Sequence, residues 1–468
     1  SPHWQHGRMR VTPAQHTEAV QRLTASYAAI PPGTQVRLAK PTSNLFRPRT
    51  DGPVRGLDTS GLTGVIDVDR QARTADVQGM CTYEDLLAQT LPHGLMPTVV
   101  PQLRTITLGG AVTGLGIEAT SFREGLPHES VLEMDVLTGT GQVLTCTPQG
   151  PHADLFHAFP NSYGSLGYAT RLRIRLIPIG PQVATRNLRF PRVEEAAEAI
   201  ARICRDLEWE GEVVDFLDGV MFSPREVYLV LGRNTTSTAP TSDYTGQKVF
   251  FRSLRERPAD LLSAHDYLWR WDTDWFWCSR AFGAQNPVLR RLWPARYRRS
   301  DVYHRIVRFN NRHHITDRID ARRGRPPKER VVQDVEVPLA NTAEFLRWFD
   351  AQVGMSPVWL CPMRMVTPAR DGARPWPLYP MDPGEIYVNV GFWGLVERRP
   401  GSQDGDVNRA IEAEVTRLQG HKSLYSDAYY ERDTFEDLYG GNEYRAVKNA
   451  FDPDGRLPGL YEKVVLRR

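Results

Sequence analysis

The chain has 468 residues, of which 24% are charged and 41% hydrophobic, and it carries a formal net charge of +3. That length exceeds what one hydrophobic core usually serves, so two domains are expected, and the ordinary composition excludes global disorder. The small charge argues neither for nor against a polyanionic partner, the five scattered cysteines without a CxxC pair support neither a disulfide framework nor a zinc site, and no window nears the roughly 18 apolar residues of a membrane span.

The opening residues, Ser1 to Trp4, begin no basic segment followed by an apolar run, so no signal peptide is expected and the chain reads as a reduced cytoplasmic protein. Up to about Pro178 short strands alternate with glycines. Runs 64–69 and 74–78 are β-rich and joined by a polar turn, and a helix is expected from Tyr83 to Thr90. A hairpin follows, Val131 to Thr138 and Gln142 to Thr147 through Gly139 and Gly141, then a strand from Arg171 to Ile177 that Pro178 ends. From about Gln182 the pattern becomes strand, helix (193–207), strand (213–217), strand (227–231). After an irregular region it recurs as strand (331–337), helix (342–351), strands (358–361 and 385–390) and helix (408–418). Two such rounds predict a second domain built on one antiparallel sheet with helices on one face. The last segment, 433–450, is helical in pattern and closes on a turn at Phe451 to Gly455; Lys448 before it reads as structural.

Residues 105–118 hold four glycines in eight positions, Gly109, Gly110, Gly114 and Gly116, just after Pro101. Glycines at this density let backbone N–H groups converge on an anion or lie flat against a planar ring, because no Cβ blocks the approach. A tight glycine turn between core strands reads equally well from the spacing. Gly114-Leu-Gly116 does not complete a GxGxxG fingerprint, which excludes a Rossmann unit here.

The order of these features, with Gly94 to Pro97, Thr107 to Gly110, Gly114, Gly116, Glu124-Gly125 and Phe156 to Gly167, resembles the FAD-binding domain of the vanillyl-alcohol-oxidase/p-cresol methylhydroxylase superfamily. Within it, Thr107 to Glu118, Asp154 to Phe156, Val331 to Asp334, Trp359 to Pro362 and Leu424 to Asp427 are similar to the delta-24-sterol reductase branch. The resemblance implies an α+β fold with a PCMH-type FAD-binding domain over 1–180, an antiparallel-sheet substrate (cap) domain over 181–425, and a C-terminal segment, 426–468, that returns to the FAD domain. It implies flavin contacts from Thr107, Leu108, Gly109, Gly110, Thr113, Gly114, Gly116, Ile117 and Glu118; Glu118 serves either the flavin neighbourhood or a backbone hydrogen bond. Where relatives carry a histidine-bearing glycine loop, this chain has Ala39 to Arg47 with neither His nor Cys, so non-covalent FAD is expected. Lys40 and Arg47 are positioned to neutralise the diphosphate, with Thr42, Ser43 and Asn44 donating hydrogen bonds; a surface turn rich in capping residues is the other reading.

The branch implies hydride delivery to an isolated carbon–carbon double bond in a lipid, with NADPH as electron donor. Such an alkene accepts hydride only once a proton adds at the less substituted carbon. Pro41 to Pro48 and Gly114 to Glu118 resemble actinobacterial members linked to tuberculostearic acid, so a 10-methylene acyl chain of a fatty acid or phospholipid is the expected substrate. A delta-24 sterol, an alcohol or sugar oxidised on the same fold, and a lipid-binding protein retaining flavin are the alternatives. For the proton, the period of two in 385–391 sets Tyr387 and Asn389 on one face, either to the cavity or to solvent, and His313 and His314 form a second candidate pair. Finally, Trp269, Trp271, Trp275, Phe276, Trp277 and Phe282 precede a run of arginines from Arg290 to Arg312. Region 267–330 reads either as a peripheral contact with anionic lipid or as an aromatic core beside a basic face; nucleic acid is not expected, since no recognised module accompanies the arginines.

Overall fold

A glycine-punctuated first half folds into a six-stranded antiparallel sheet in a computed structural model that describes residues 10–38, 56–246, 248–278, 285–313 and 315–467. Its strands are β1 (Val65–Asp69), β2 (Thr74–Gln78), β3 (Leu95–Pro97), β4 (Val131–Leu137), β5 (Val143–Cys146) and β6 (Tyr168–Pro178). They lie in the order β1-β2-β6-β4-β5, with β3 also paired to β6. Alternation explains β6: Leu172, Ile174 and Leu176 are buried, while Arg171 points the other way and binds Asp76 at 2.7 Å, Asp135 at 2.9 Å and Glu133. One arginine thus ties β2, β4 and β6 across their outer face. Helix α1 (Pro13–Ala28), which the sequence reading did not assign, packs Ala19, Leu23 and Tyr27 inward at helical spacing and starts from a Thr12/Gln15 capping box.

Each of the two expected rounds of strand, helix, strand, strand is present. The first comprises β7 (Gln182–Phe190), α4 (Val193–Asp206), β8 (Phe216–Ser223) and β9 (Glu226–Thr235), following α2 (Tyr83–Thr90) and α3 (Leu108–Thr113) of the first half. After the edge strand β10 (Ala259–Ser263), the second comprises β11 (Lys328–Pro338), α5 (Leu339–Gln352), β12 (Val358–Arg364) and β13 (Ile386–Glu397). Helix α6 (Asp406–Arg417) and the short β14 (His421–Lys422) follow. Together they form one eight-stranded antiparallel sheet, β10-β7-β9-β8-β12-β13-β11-β14. In each round the first strand pairs with the third and the third with the second. The two second strands, β8 and β12, then pair with each other through Val220↔Trp359.

The two faces of this sheet divide the core. Val388, Val390 and Phe392 of β13 and Val358 and Leu360 of β12 pack with α4, α5 and α6 residues such as Ile203, Phe349 and Ile411; each such side chain stabilises the fold by about 1.5–3 kcal/mol. Tyr387 of β13 and Trp359, Cys361 and Met363 of β12 join the core shared with the first sheet. The C-terminal segment reaches that half as well. Arg456 accepts the Val36 N–H, Leu457 packs with Leu23 and Leu137, and Lys448 donates to the carbonyls of Ser165 and Leu457 and to Asp452, a structural role.

The stretch read as irregular contains helices, Phe250–Glu256, Ser300–His313 and Ile315–Arg322. In Ser300–His313, Tyr303 and Val307 face the core four residues apart, a stripe too narrow among arginines to show a period in sequence. Its tryptophans Trp269, Trp271, Trp275 and Trp277 are buried, as is Phe276, whereas Phe282 lies outside the described residues. Among the described residues no helix is long and apolar enough to cross a membrane.

What locks the two sheets together is a charge cluster. Arg270 has no accessible side-chain surface and sits between Glu118, at 3.0 Å, and Asp218 of β8, at 2.8 Å. The indoles of Trp271 and Trp359 also donate to Asp218, at 2.9 and 3.0 Å. Removing the guanidinium leaves two buried carboxylates uncompensated, so Arg270→Met is expected to lose about 3–5 kcal/mol in urea unfolding at neutral pH. A loss below about 1 kcal/mol would show that the cluster does not hold the sheets.

Candidate active site

Between the two sheets lies a cavity of about 310 Å³. One wall is the glycine segment, from Pro101 through Thr107, Gly109, Gly110, Thr113, Gly114 and Gly116 to Ile117. The facing sheet contributes Asp334 of β11 and Trp393 of β13, with Ser423 and Tyr425 just beyond β14; Trp275 and Phe276 come from the aromatic region. At another part of the wall, Leu23 of α1, Thr59 and Leu62 meet Tyr168 and the C-terminal Lys463.

The glycines have a cause that spacing alone did not reveal. A Cβ on Gly109 would lie 2.5 Å from the Gly79 carbonyl, and one on Gly79 would lie 1.8 Å from that of Ala169. The first turn of α3 is therefore seated backbone to backbone on the first sheet, fastened by the Gly109 N–H to Gly79 at 2.9 Å. Gly116 is hemmed in by proline rings instead, a Cβ there lying 2.8 Å from that of Pro127 and 3.1 Å from that of Pro101. The glycines form a tight turn against core strands, and that turn is a thin cavity wall. Thr107 caps α3 by accepting the Gly110 N–H at 3.1 Å, leaving Gly110 exposed on the wall.

The remaining singled-out residues separate. Leu108, the first residue of α3, is buried off the wall. Glu118 also faces away from the cavity; its carboxylate takes a bond from the Ala119 N–H at 2.8 Å and two from Arg270. Burial and the neighbouring Asp218 charge push that carboxyl up to about 7, against the pull of Arg270. Lys40, Thr42, Ser43, Asn44, Arg47 and His314 lie outside the described residues. On β13, Tyr387 and Asn389 do share the face turned to the first half, but neither lines the cavity. Tyr387 is buried against His421, its hydroxyl accepting the Asp382 N–H at 3.4 Å; Asn389 stands behind the wall and donates to Asp334 at 3.4 Å.

Asp334 is the residue that sequence reasoning passed over. Its strand was recognised and Val331 to Asp334 was noted, yet an acid in an alternating strand ordinarily marks the solvent face. Here that face is the cavity. Burial pushes its carboxyl up to about 7, opposed by hydrogen bonds from Asn389 and Tyr425.

A flavin fits this wall. It provides a glycine-thinned backbone approach and one basic side chain, Lys463, among the described lining residues. None of those lining residues is a His or Cys, the usual points of covalent attachment.

Comparison with known proteins agrees. Residues 14–147 match the family model of the FAD binding domain. The chain is similar to the Delta(24)-sterol reductase of Rattus norvegicus, 25% identical over 426 residues that cover 86% of this chain and 76% of the relative. The Homo sapiens Delta(24)-sterol reductase is 24% identical over 425 residues with the same coverage. Cytokinin dehydrogenase 7 of Oryza sativa subsp. japonica is 37% identical over 133 residues, which is 28% of this chain and 24% of the relative.

Two outcomes follow from the wall. Purified protein is expected to be yellow and to release its flavin into the supernatant on acid precipitation; flavin left on the pellet would contradict a non-covalent site. Gly110→Val, on the open wall, is expected to lower FAD content at least tenfold with little change in the unfolding midpoint. Gly109→Ala instead meets backbone and should destabilise by about 1–3 kcal/mol, the usual range for overpacking.

Proposed function

We propose that this FAD-dependent oxidoreductase, with its PCMH-type FAD-binding domain, reduces an isolated carbon–carbon double bond in a lipid, converting a 10-methylene acyl chain to the 10-methyl chain with NADPH as electron donor. The observation that carries this reading is the chemistry of the wall. Trp275, Phe276, Trp393, Leu103, Leu115 and Ile117 make it apolar and aromatic, as a hydrocarbon chain requires. The names of the relatives favour one second reading, a delta-24 sterol alkene, which the same wall would accept.

In this reading FAD is held by Thr107, Gly109, Gly110, Thr113, Gly114, Gly116 and Ile117, with Leu108 and Glu118 supporting the segment from behind. Lys40, Thr42, Ser43, Asn44 and Arg47 are assigned to the diphosphate. When bound and reduced, FAD supplies a hydride. The chain's part is to orient the alkene against the glycine wall, exclude water with the aromatic side chains, and provide a proton at the methylene carbon, where addition places positive charge on the more substituted branch carbon.

The test separates the readings. Anaerobic NADPH is expected to bleach the flavin, and a phospholipid bearing a 10-methylene chain to restore its colour while gaining two hydrogens. In heavy water the solvent deuteron is expected in the new methyl group and the hydride at the branch carbon. Labels in the reverse positions would overturn proton addition at the methylene. Bleaching by an alcohol would favour an oxidase, and bleaching by neither donor a flavin-containing lipid binder.

An acyl substrate also places the protein at an anionic lipid surface. With Trp269, Trp271, Trp275 and Trp277 buried, the most exposed large apolar groups described in region 267–330 are Val288, Leu289, Leu292 and Tyr297, which are 68%, 49%, 75% and 46% exposed, next to the exposed Arg291 and Arg296. Flotation with phosphatidylglycerol vesicles is expected to capture the protein, less so in high salt, and Leu289→Ser with Leu292→Ser to reduce capture at least fivefold. Equal capture by neutral vesicles would remove the electrostatic part of this contact.

A further inference from the structure

A half-buried carboxyl on the cavity wall needs a reason. Asp334 lies opposite Gly391 in the β11–β13 ladder, where an added Cβ would come within 2.3 Å of Asp334 Oδ1, so the carboxyl rests against bare backbone. It receives bonds from Asn389 and from the Tyr425 hydroxyl, which in turn accepts the Trp393 indole N–H at 2.9 Å. Both direct partners are neutral. Two residues along the same face, Glu336 is fully buried; Ser423, another lining residue, donates its hydroxyl to one carboxyl oxygen, and the other has no hydrogen-bond partner among the described residues. His421 stands 3.7 Å from that oxygen, held neutral by burial, and neither ring nitrogen has a hydrogen-bond partner among the described residues.

We propose that Asp334 is the acid that protonates the alkene, with Asn389 and Tyr425 as its positioning residues; this rests on the reduction proposed above. A carboxylate partnered only by neutral groups is easier to keep protonated than one facing a cation, and among the described residues no charged side chain hydrogen-bonds to it, although Lys463 lines the same cavity. Glu336 on the same strand, Cys361 on β12 and Tyr425 are all pushed up by burial, and Lys422 is engaged by Glu412 at 3.1 Å. The balance is simple. The carboxyl O–H bond breaks as a C–H bond forms at the methylene carbon, the π pair supplying the electrons. The hydride from reduced FAD then joins the branch carbon. Asp334 is left as carboxylate and regains its proton from water. NADPH restores the hydride.

The sign of the pH dependence follows. The protonated form is the active one, so the alkene step is expected to hold below pH about 7 and to fall as pH rises through the Asp334 value. Because that value is raised above the ordinary carboxylate range, the stability linked to it is also greatest at low pH and declines through the same window.

Asp334→Asn, nearly isosteric, is expected to keep its FAD content and its bleaching by NADPH within about twofold, and to slow alkene-dependent reoxidation by about 10² or more. Its residual rate should lose the fall near pH 7. Its thermal midpoint, relative to the unaltered protein, should rise between pH 5 and 8, a readout independent of turnover. Normal reoxidation with the pH break intact, or a loss of FAD and of bleaching in parallel with turnover, would overturn the proposal. Tyr425→Phe is the second variant. Losing a bond to the carboxylate should move the break to higher pH, and an unmoved break counts against Asp334. If the unaltered protein is bleached by NADPH yet reduces neither methylene lipid nor sterol, the failure lies with the proposed reaction. If it reduces either and Asp334→Asn does too, the failure lies with Asp334.

Discussion

One guanidinium joins the two halves of this molecule. Arg270 leaves water entirely to sit between Glu118, at the end of the glycine segment, and Asp218, in the middle of the eight-stranded sheet. Burying three ionisable groups is costly, and their mutual attraction offsets that cost only in a well-aligned arrangement. The bidentate contact to Glu118 and the two indole bonds to Asp218 provide it. The alignment leaves little freedom in how the sheet lies over the glycine wall, and so in the shape of the cavity between them.

The same physics distinguishes two acids, Glu118 buried and Asp334 half-buried. Glu118 and Asp334 are both pushed upward by burial, but Glu118 faces a permanent cation and Asp334 only neutral donors. The first is committed to holding the fold. The second borders the cavity and is free to exchange a proton with what enters it. Partner identity, more than depth, decides which acid is structural and which is available for chemistry.

The aromatic region shows the complementary lesson. Six aromatic residues followed by arginines look like a membrane edge in one dimension. In three dimensions Trp271 stacks on Phe276 at 4.9 Å, and Phe276 meets Trp393 at 4.4 Å, so the cluster links the eight-stranded sheet to the cavity wall. Arg290, the first of the arginines, is itself buried against Asp274 at 2.6 Å. The exposed apolar groups are instead the modest Val288, Leu289 and Leu292 on the short helix that follows.

Local order was legible without coordinates because it depends on neighbours in the chain. Periods of two and 3.6 placed the hairpin 131–147, both strand–helix–strand–strand rounds and the face shared by Tyr387 and Asn389. Glycine density marked the segment that lines the cavity, and its resemblance to a flavin-binding family supplied the cofactor. What the sequence left open were contacts between residues far apart in it. Gly109 is a glycine because Gly79 lies against it, Glu118 turns inward because Arg270 waits 152 positions later, and Asp334 reaches the cavity because β11 pairs beside Gly391. Alternation assigns a polar residue to the face opposite the core, but whether that face meets water or a second domain is set by packing between sheets. Only the tertiary structure decided that, and with it which acid stands at the cavity.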